Sequence, residues 1–429
     1  MTTSEFILQH RLSNPRDLAL QARRYPDVDM PYALNQIQGW QTARQKLPSW
    51  ASCDGVVYPP HLNMEQCSSE PTARYKQEVA LRWLKKIGVG HGGATTSMAD
   101  LTGGFGVDFS FTSRCFASAT YVERNSSLCD VVSGNLPRLG ISNANVVCAE
   151  AEDYLATMPQ QTMLFLDPAR RDEHGAKTVL IADCTPDVCR LLPQLMSKAR
   201  FVMLKLSPML DWHKAIADLK GTVDEVHIVS VGGECKELLL VLAGKVSVSS
   251  VDSGSLENGV RVYCVDIMPK AEADGEYKRS EFCYTIGGAA DNPPTLNPQP
   301  STLNSQLLTL NSQFLFEPNA SIMKAGCFAE LSQVYGVEAI GPNSHLFVSS
   351  GRVEQFPGRK FAIEAVCTLN KRQLKQTLGT LKQANIAVRN FPMSVAELRK
   401  RLKLRDGGDT YIFATTTMEG EHVLIICRK

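Results

Sequence analysis

The chain has 429 residues, of which 44% are hydrophobic and 21% charged, and its formal net charge is +1. This composition excludes a wholly disordered chain, a collagen-like repeat and a coiled coil, and the length indicates roughly three domains. A chain so close to neutral can favour nucleic acid or a membrane only through a local patch. We see no secretory signal and no apolar run of about 18 residues, so we expect a cytoplasmic protein without a membrane partner.

The 13 cysteines are scattered from Cys53 to Cys427 without a Cys-x-x-Cys pair. An odd number of scattered cysteines favours reduced thiols over a disulfide framework. The eight histidines also lack metal-ligand spacing against the cysteines, so no metal site is predicted.

Residues 1–94 predict an N-terminal helical region. Apolar side chains recur there at helical spacing, and a helix is predicted over Thr72–Ile87. The Ser/Glu cluster that precedes this helix, Glu65-Gln-Cys-Ser-Ser-Glu70, has two interpretations. It caps the helix, or the helix flanks a ligand site in the next domain.

Residues 95–246 alternate strand and helix signals, which predicts a mostly parallel, doubly wound sheet. The last two strands are separated by only five residues, too few for a parallel crossover, so they are predicted to form an antiparallel hairpin. A parallel sheet that ends in such a hairpin is typical of class I S-adenosylmethionine (SAM) methyltransferases. The predicted strands are Ser97–Leu101, Ala119–Glu123, Asn145–Ala149, Met163–Asp167, Phe201–Leu206, Glu225–Val231 and Glu237–Leu242.

Ligand-binding residue types follow four of these strands, at the carboxyl ends where such sheets bind ligands. The first strand runs into Asp100-Leu-Thr-Gly-Gly-Phe-Gly106, a tight turn that permits close backbone approach. Glu123 ends the second strand, where a carboxylate can accept both hydroxyls of a ribose. Glu150 follows the third strand and can accept from an adenine amino group, and Asp167-Pro168 follows the fourth. In this order the four features indicate a SAM site.

The chain resembles the bacterial class I SAM-dependent methyltransferases that carry a THUMP-like C-terminal domain. The resemblance implies a Rossmann-like seven-stranded methyltransferase sheet, an N-terminal helical region and small α+β domains, one ferredoxin-like and one THUMP-like. The matching segments are the Ser/Glu cluster at 65–70 with Thr72-Ala73 and Tyr75-Lys76, the glycine turn at 100–106, Asp167-Pro-Ala-Arg-Arg171, Lys205-Leu-Ser-Pro208, Glu234-Cys-Lys-Glu237 and Leu402-Lys-Leu-Arg-Asp-Gly-Gly-Asp409.

The resemblance also implies roles for individual residues. Glu123 would bind the ribose of SAM and Glu150 its adenine, while Asp167, Pro168 and Arg170 would face the methyl acceptor. The methionine part of SAM would be held by Asp100, Thr102, Gly103, Gly104 and Gly106.

One departure bears on the acceptor. Enzymes that methylate an exocyclic amino group usually follow Asp/Asn-Pro-Pro with an aromatic residue, whereas this chain has Ala169 and Arg170. Methylation of uridine C5 requires a cysteine nucleophile, for which Cys235 is the candidate; a structural cysteine in a glycine turn is the alternative. Arg170 either binds a phosphate or base edge, or Arg170 and Arg171 pair with Asp172 and Glu173. Lys205 either approaches the same pocket or is structural.

Residues 260–350 predict a small α+β module with a strand at Arg261–Ile267 and a helix around Ala325–Tyr335. Residues 246–251 are predicted to be a strand end or linker. Inside the module, at 292–313, a near-repeat of Thr-Leu-Asn with a period of seven is interrupted by prolines and has no charge. A polar, low-complexity insert in a loop is predicted for this segment.

Residues 355–429 form the basic domain. Between 352 and 405 there are 13 Lys and Arg and 3 Glu, a formal charge of +10, so the rest of the chain is acidic on balance. A helix is predicted over Thr368–Ala384, a capping box at Ser394–Glu397, and a hairpin from Tyr411–Thr417 and His422–Arg428. The predicted RNA contacts, made to phosphates, are Arg399, Lys400, Arg401 and Lys403. A solvated helix face is the alternative.

Together these features predict a SAM-dependent methyltransferase that acts on structured RNA, either tRNA or rRNA. Two alternatives stay open. The substrate is a protein or a small molecule, or the chain is an RNA-binding module whose SAM site is not catalytic.

Overall fold

A computed structural model describes residues 1–90, 95–170, 180–243, 259–270, 276–287 and 313–429. The insert predicted at 292–313 lies outside these ranges except for Gln313, and so do the linker at 246–251 and residues Arg171, Asp172 and Glu173. The side chain of Arg170 is also outside the description.

The described residues form two compact units. Unit 1 comprises residues 1–227 with 236–243, 269–270 and 276–277. Unit 2 comprises residues 228–235, 259–268 and 278–429.

Residues 1–90 are helical, as predicted, because their apolar side chains recur at helical spacing and are buried on packing. Phe6, Leu18, Ala33 and Ile37 belong to one buried cluster. The helices are α1 (Thr3–His10), α2 (Pro15–Leu20), α3 (Met30–Lys46), α4 (Pro48–Ala51), α5 (His61–Gln66) and α6 (Glu70–Lys86), with a 3-10 turn at Ala22–Arg24.

The Ser/Glu cluster before α6 is not the predicted helix cap. Ser69 occupies the N-cap position, but its side chain makes no capping hydrogen bond. Pro71 stands in the first turn and has no N–H group for a cap to bind. The hydroxyl of Ser68 instead donates to the Asp108 carboxylate, at 2.6 Å.

The rest of unit 1 alternates strands and helices. Its strands are β1 (Ser97–Asp100), β2 (Ser118–Glu123), β3 (Ala144–Cys148), β4 (Gln161–Leu166), β5 (Ala169–Arg170), β6 (Cys184–Thr185), β7 (Ala199–Leu206), β8 (Val223–Val231) and β9 (Glu234–Leu242). Its helices are α7 (Val107–Thr112), α8 (Ser126–Arg138), α9 (Ala151–Thr157), α10 (Val188–Lys198) and α11 (Trp212–Asp218), with 3-10 turns at Ser113–Cys115 and Ile181–Asp183.

The large strands follow the order β8-β9-β7-β4-β1-β2-β3. Strands β7, β4, β1, β2 and β3 are parallel, and β9 runs antiparallel to β7. The seven predicted strands and the reversed last strand are therefore confirmed. Central β4 is buried along its whole length, as a continuous apolar run predicts for a strand covered on both faces. Strands β5 and β6 form a separate pair beside the end of β4.

Helix α6 and strand β8 share a buried polar network within unit 1. The Tyr75 hydroxyl lies 2.8 Å from Nδ1 of His227, and the Trp83 indole N–H donates to Glu225 at 2.9 Å. Arg82 also donates to Glu225, at 2.8 Å. Because buried polar groups need partners, this network fixes how α6 packs on the sheet.

Unit 2 contains the last residues of β8, the first residues of β9 and all later strands and helices. These are β10 (Val260–Ile267), β11 (Arg279–Ile286), β12 (Phe314–Pro318), α12 (Ala320–Ala325), α13 (Phe328–Tyr335), β13 (Glu338–Ala339), β14 (Phe347–Ser349), β15 (Gly358–Thr368), α14 (Lys371–Leu378), β16 (Asn385–Arg389), α15 (Val395–Leu402), β17 (Thr410–Thr416) and β18 (His422–Arg428).

Two features of unit 2 extend the sheet prediction. Antiparallel strands β10 and β11 continue from the part of β8 that lies in unit 2, so the described sheet has two strands more than the seven predicted. Strands β12 to β18 form a second sheet, in the order β13-β14-β12-β15-β18-β17-β16. Two buried apolar clusters pack against it, one around Phe361 and Phe413 and one around Leu398 and Leu424.

Two predicted helices are shorter than expected. The helix predicted at Ala325–Tyr335 is α13 and begins only at Phe328, because Gly326 adopts a left-handed φ of 73° that ends the preceding helix α12. The helix predicted over Thr368–Ala384 is reduced to α14 and ends at Gly379. The capping box at Ser394 and Glu397 is confirmed, and so are the hairpin strands β17 and β18.

Candidate active site

The carboxyl ends of β1 and β4 are joined through the side chains of Asp100 and Thr102. Asp100 is 1% exposed and accepts a 3.0 Å hydrogen bond from the Thr102 backbone N–H. The Thr102 hydroxyl accepts a 2.6 Å bond from the Asp167 backbone N–H. This arrangement sets the glycine turn after β1 beside the Asp167-Pro168 segment after β4.

The glycine turn is packed too tightly for side chains at two of its positions. A Cβ atom on Gly103 would lie 2.1 Å from the Tyr121 ring, and Gly106 has a φ of 77°. The Tyr121 hydroxyl donates to the Gly104 carbonyl at 2.5 Å. Burial is the main cause that raises the pKa of Tyr121, so this donor keeps its proton. Tyr121 of β2 thus fixes the position of the glycine turn through this hydrogen bond.

Glu123 at the end of β2 holds the same turn from its side. One carboxylate oxygen accepts from the Gly104 N–H at 3.0 Å, and the other accepts from the Asn125 N–H at 2.9 Å. Each carboxylate oxygen has a further lone pair, so both can still accept from ribose hydroxyls. Glu150 is exposed at the N-cap of α9. The ends of β2 and β3 are joined where the Ala149 N–H donates to the Glu123 carbonyl.

Asp167 is 37% exposed at the end of β4, and one of its oxygens is occupied. The Lys205 ammonium lies 2.5 Å from Oδ2 of Asp167. Pro168 is buried, whereas Ala169 is exposed in the short strand β5. Among the described residues Oδ1 of Asp167 has no hydrogen-bond donor, so this oxygen is available to a methyl acceptor.

A chain of buried charges lies behind Asp167. Lys205 is also 4.0 Å from Asp108, and Lys76 is 3.3 Å from Asp108 and 2.5 Å from Glu237. Lys76 is completely buried. Two ammonium groups therefore alternate with three carboxylates along the series Glu237, Lys76, Asp108, Lys205 and Asp167, which we call the ion chain.

The ion chain unites motifs that lie far apart in the sequence. Ser68 of the Ser/Glu cluster donates to Asp108, just after the glycine turn. Lys76 belongs to the Tyr-Lys pair of α6, and Glu237 to the Glu-Cys-Lys-Glu segment of β9. Sequence patterns predict no role for Ser68, Lys76, Asp108 or Glu237, although all but Asp108 lie in segments that match the family. The signal was present, because Lys76 stands on the α6 face that carries buried Ala73, Ala80 and Trp83.

The pKa values of the ion chain reflect its burial. Burial opposes the charge on Lys205, yet Asp167, Asp108 and Glu237 together raise the pKa of its ammonium above the ordinary value. Burial raises the pKa of Glu237, although Lys76 and Lys205 act in the opposite direction. Lys205 therefore stays protonated and serves as a fixed positive charge rather than as a base.

The acidic edge beside the glycine turn suits a cationic ligand. Burial raises the pKa of Asp100 well above the ordinary value, against the Thr102 hydrogen bond, and the charges of Asp108, Asp167 and Glu123 raise it further. The carboxylates of Asp108, Asp167 and Glu123 are thus near enough to act on Asp100. SAM carries a positive sulfonium and a positive amino group, and Glu123 adds a ribose acceptor. The residues present therefore fit SAM.

The predicted RNA-contact residues lie on and after α15 of unit 2. Arg399 is engaged within the fold, since it donates to the Ala384 carbonyl at 3.1 Å and to Asp406 at 2.7 Å. Arg401 is exposed and directs Nη2 toward the Leu369 carbonyl at 3.5 Å. Lys400 and Lys403 are exposed. The cations that this surface offers to solvent are therefore Lys400, Arg401 and Lys403 more than Arg399.

The remaining sequence predictions concern Cys235, metal binding and membrane association. Cys235 is half-buried near the start of β9. The described residues contain no group of His, Cys, Asp or Glu arranged to hold a metal ion. No helix in the described ranges has the length and apolarity needed to cross a membrane.

Comparisons with known proteins agree with this geometry. The family described as THUMP domain-like matches residues 358–429, and a ferredoxin-like domain family matches residues 314–357. A solved structure of a presumed methyltransferase from Porphyromonas gingivalis W83 is 28% identical to this chain, with a TM-score of 0.75. The match covers 93% of this chain and 90% of that protein.

Other solved structures match only part of the chain. An rRNA methylase from Streptococcus thermophilus is 12% identical over 39% of this chain and 94% of its own, with a TM-score of 0.29. A presumed class I SAM-dependent methyltransferase from Listeria monocytogenes is 12% identical over 42% of this chain and 62% of its own, with a TM-score of 0.31. Neither is close enough to carry an argument. No curated protein matches the chain.

The strand order, the acidic strand ends and the Porphyromonas gingivalis match define the class of the protein: a class I methyltransferase that uses SAM. Within that class the chain is one that carries a ferredoxin-like and a THUMP-like domain after the catalytic sheet. The predicted resemblance, fold class and cofactor are confirmed.

Proposed function

We propose that this methyltransferase modifies a nucleotide of structured RNA, either tRNA or rRNA, that is held by the basic C-terminal domain. The observation that carries the proposal is the coincidence of the THUMP-like match at 358–429 with the main concentration of positive charge. Cationic side chains bind the phosphate backbone of nucleic acids without reading its sequence. Lys400, Arg401 and Lys403 are the cations that support this contact best, with Arg399 placing the helix that bears them.

In the proposed donor site, Asp100, Thr102 and the glycines Gly103, Gly104 and Gly106 hold the methionine part of SAM. Glu123 accepts from the ribose, and Glu150 accepts from the adenine amino group. When bound, SAM supplies an electrophilic methyl group on a positively charged sulfur. Beside the glycine turn the carboxylates of Asp108, Asp167 and Glu123 outnumber the ammonium groups of Lys76 and Lys205, and this excess favours that positive charge.

Asp167 is the proposed contact to the methyl acceptor. Lys205 holds one of its oxygens, and this fixes the direction in which the other oxygen points. That oxygen orients the acceptor or takes its proton during a direct, in-line displacement at a nitrogen or oxygen atom. Pro168 shapes the same rim, and Arg170 is assigned to a phosphate or base edge. A base from a duplex has to be flipped out to reach this pocket.

The exposed Ala169 is relevant to the choice of acceptor. It stands where many amino-group methyltransferases have their second proline, and Arg170 stands where their aromatic ring stacks on the base, so this chain has no ring to stack there. We therefore place ring nitrogens and hydroxyl oxygens ahead of exocyclic amines as acceptors. Methylation of uridine C5 through Cys235 is the further alternative.

The test is transfer of labelled methyl from SAM to total RNA from cells that lack the protein. We expect label in one RNA species with the wild type, and nucleoside digestion then names the product. Asp167→Ala should remove the label, and Asp167→Asn should retain SAM binding while transferring slowly. SAM binding measured by calorimetry separates loss of catalysis from loss of the donor site.

Other outcomes favour the alternatives. SAM binding without label in RNA favours a protein or small-molecule substrate. RNA binding without SAM binding favours a non-catalytic RNA-binding module. Either result contradicts the proposal.

A further inference from the structure

Unit 1 contains a cavity outside the proposed donor site, which we call the arginine cavity, with a volume of about 370 Å³. Three guanidinium groups line it, from Arg74, Arg114 and Arg138, and Trp50 and Phe111 form part of its wall. The other lining residues are Ser49, Cys53, Gln77, Ser110 and Leu139.

The arginine cavity lies away from the donor site. Ser110 and Phe111 are near the end of α7, which leads toward the start of β2. Arg138 ends α8, which leads toward the start of β3. In a parallel sheet the starts of the strands lie at the edge opposite to their carboxyl ends, where Asp100, Glu123 and Asp167 are. The cavity is therefore not part of the proposed methyl-transfer site.

The charge of the cavity is unbalanced. Arg74 donates through Nε and Nη2 to Glu70, at 2.9 and 2.7 Å, and the other oxygen of Glu70 accepts from the Ser49 N–H at 2.8 Å. In the described part of the chain neither Arg114 nor Arg138 forms an ion pair with a carboxylate. Of the three guanidinium groups, that of Arg74 alone is paired with a carboxylate among the described residues.

Arg114 and Arg138 are held by backbone oxygens instead. Arg114 donates to the Ser110 carbonyl at 3.0 Å and to the Leu139 carbonyl at 2.6 Å. Arg138 donates to the Gly134 carbonyl within its own helix. Each guanidinium has five N–H donors, so both retain donors beyond these contacts. Burial, and then the positive charge of Arg74, lower the pKa of Arg114, which indicates that the like charges are close.

We infer that the arginine cavity binds a phosphate group. Guanidinium groups bind phosphate oxygens in pairs, and one phosphate can bridge several of them. Bringing like charges together without compensation is unfavourable, and a bound anion relieves this repulsion. The phosphate comes from the backbone of an RNA substrate, in which case the inference rests on the proposed function, or from a free nucleotide or phosphate ion.

The test uses Arg138→Gln, since Arg138 is exposed and lies outside the donor site, and among the described residues its side chain donates only within its own helix. The probes are inorganic pyrophosphate and total tRNA, titrated at constant ionic strength with S-adenosylhomocysteine added to fill the donor site. Arg200→Gln is the matched control, because Arg200 is also exposed and also donates to a backbone carbonyl, that of Ile87. Arg74→Gln with Arg138→Gln extends the series.

We expect Arg138→Gln to weaken pyrophosphate binding about tenfold, the loss of one charged hydrogen bond, and Arg200→Gln to leave it unchanged. A parallel loss of tRNA binding assigns the phosphate to RNA, whereas unchanged tRNA binding assigns it to a free phosphate or nucleotide. The inference is overturned if the wild type does not bind pyrophosphate at millimolar concentration. It is also overturned if Arg138→Gln binds pyrophosphate as the wild type does.

The proposed function is tested separately by methyl transfer to RNA. If the wild type labels no RNA but Arg138→Gln loses pyrophosphate binding, phosphate binding at the cavity is supported and RNA as the substrate is contradicted. If RNA is labelled while Arg138→Gln leaves pyrophosphate binding unchanged, RNA as the substrate is supported and phosphate binding at the cavity is contradicted.

Discussion

The Lys76 ammonium lies 2.5 Å from the Glu237 carboxylate, and neither side chain is more than 3% exposed. Lys76 also lies 3.3 Å from Asp108, which makes it the link between helix α6, strand β9 and the glycine turn. A buried charge is tolerated only when it is paired, so this relationship holds helix α6 against strand β9 and the segment after the glycine turn. Each charged side chain of the ion chain therefore neutralises its buried neighbours.

Lys76→Met should reduce the free energy of unfolding by about 3–5 kcal/mol, because it leaves Glu237 and Asp108 without their shared buried partner. Lys76→Met combined with Glu237→Gln should recover part of that loss, since an amide can be buried at lower cost than a carboxylate. Urea unfolding of the four proteins of the cycle measures the coupling. Additive effects of the two substitutions contradict a direct ion pair.

Lys205→Met should lower kcat about a hundredfold while leaving SAM affinity within a few fold. Lys205 contacts Asp167 and Asp108 rather than the glycine turn, so its loss lets the Asp167 carboxylate leave its position. Lys205→Arg keeps the charge and should recover part of the rate. Single-turnover methyl transfer and calorimetry give the two numbers separately, and a SAM affinity that falls as far as kcat would place Lys205 in the donor site instead.

Gly103→Ala should weaken SAM binding and destabilise unit 1 by about 1–3 kcal/mol, because the added Cβ would lie 2.1 Å from the Tyr121 ring. Gly90→Ala is the matched control, since a Cβ there meets nothing within 4 Å. Thermal unfolding with and without SAM distinguishes the two variants. Equal behaviour of both would show that the turn has room to adjust.

The stability of unit 1 should fall on acidification through Glu225. Burial acts against its charge, but hydrogen bonds and charges from His227, Arg82 and Trp83 hold the pKa of this carboxyl below its ordinary value of 4.5. A carboxyl with a lowered pKa in the folded state contributes stability above pH 4.5 that is lost as the pH falls toward its folded value.

Glu225→Gln should therefore be less stable than the wild type near neutral pH. Its free energy of unfolding should decline less steeply between about pH 5 and pH 3, by up to about 1.4 kcal/mol per pH unit. Urea unfolding across this range checks the slope. Parallel curves for the two proteins would mean that Glu225 does not contribute to acid unfolding.

Replacing Lys400, Arg401 and Lys403 together with Gln should weaken RNA binding and reduce its salt dependence. Each lost phosphate contact should lower the slope of log K against log salt by about one. Arg399→Gln is the contrasting variant, because it loses contacts to Ala384 and Asp406 and should reduce stability as well. An unchanged salt slope in the triple variant would remove the RNA contact from this surface.

Much of the architecture was predictable because it depends on local patterns. Alternating strand and helix signals located the seven strands of the sheet, and the short link between Val231 and Glu234 specified the reversed β9. The residues at the strand ends, from Asp100 to Asp167, followed from the rule that parallel strands direct their carboxyl ends to one edge. The capping box at Ser394 was visible as a spacing of three residues.

Local patterns gave wrong predictions at two places where another contact or a backbone conformation overrides them. The Ser/Glu cluster has the composition of a cap, yet Pro71 removes an N–H group and Asp108 takes the Ser68 hydroxyl. The helix predicted across Ala325–Tyr335 begins only at Phe328, because Gly326 ends the preceding helix with a left-handed backbone that no periodicity reveals.

The class of fold and the location of the basic domain were evident from the amino-acid sequence, because periodicity and net charge are properties of short stretches of chain. Which charges pair with one another became apparent from the three-dimensional packing. Lys76 and Glu237 are 161 residues apart in the chain, and neither their 2.5 Å separation nor the meeting of three arginines in one cavity follows from local pattern. Electrostatic pairing depends on distance through space, and packing sets that distance.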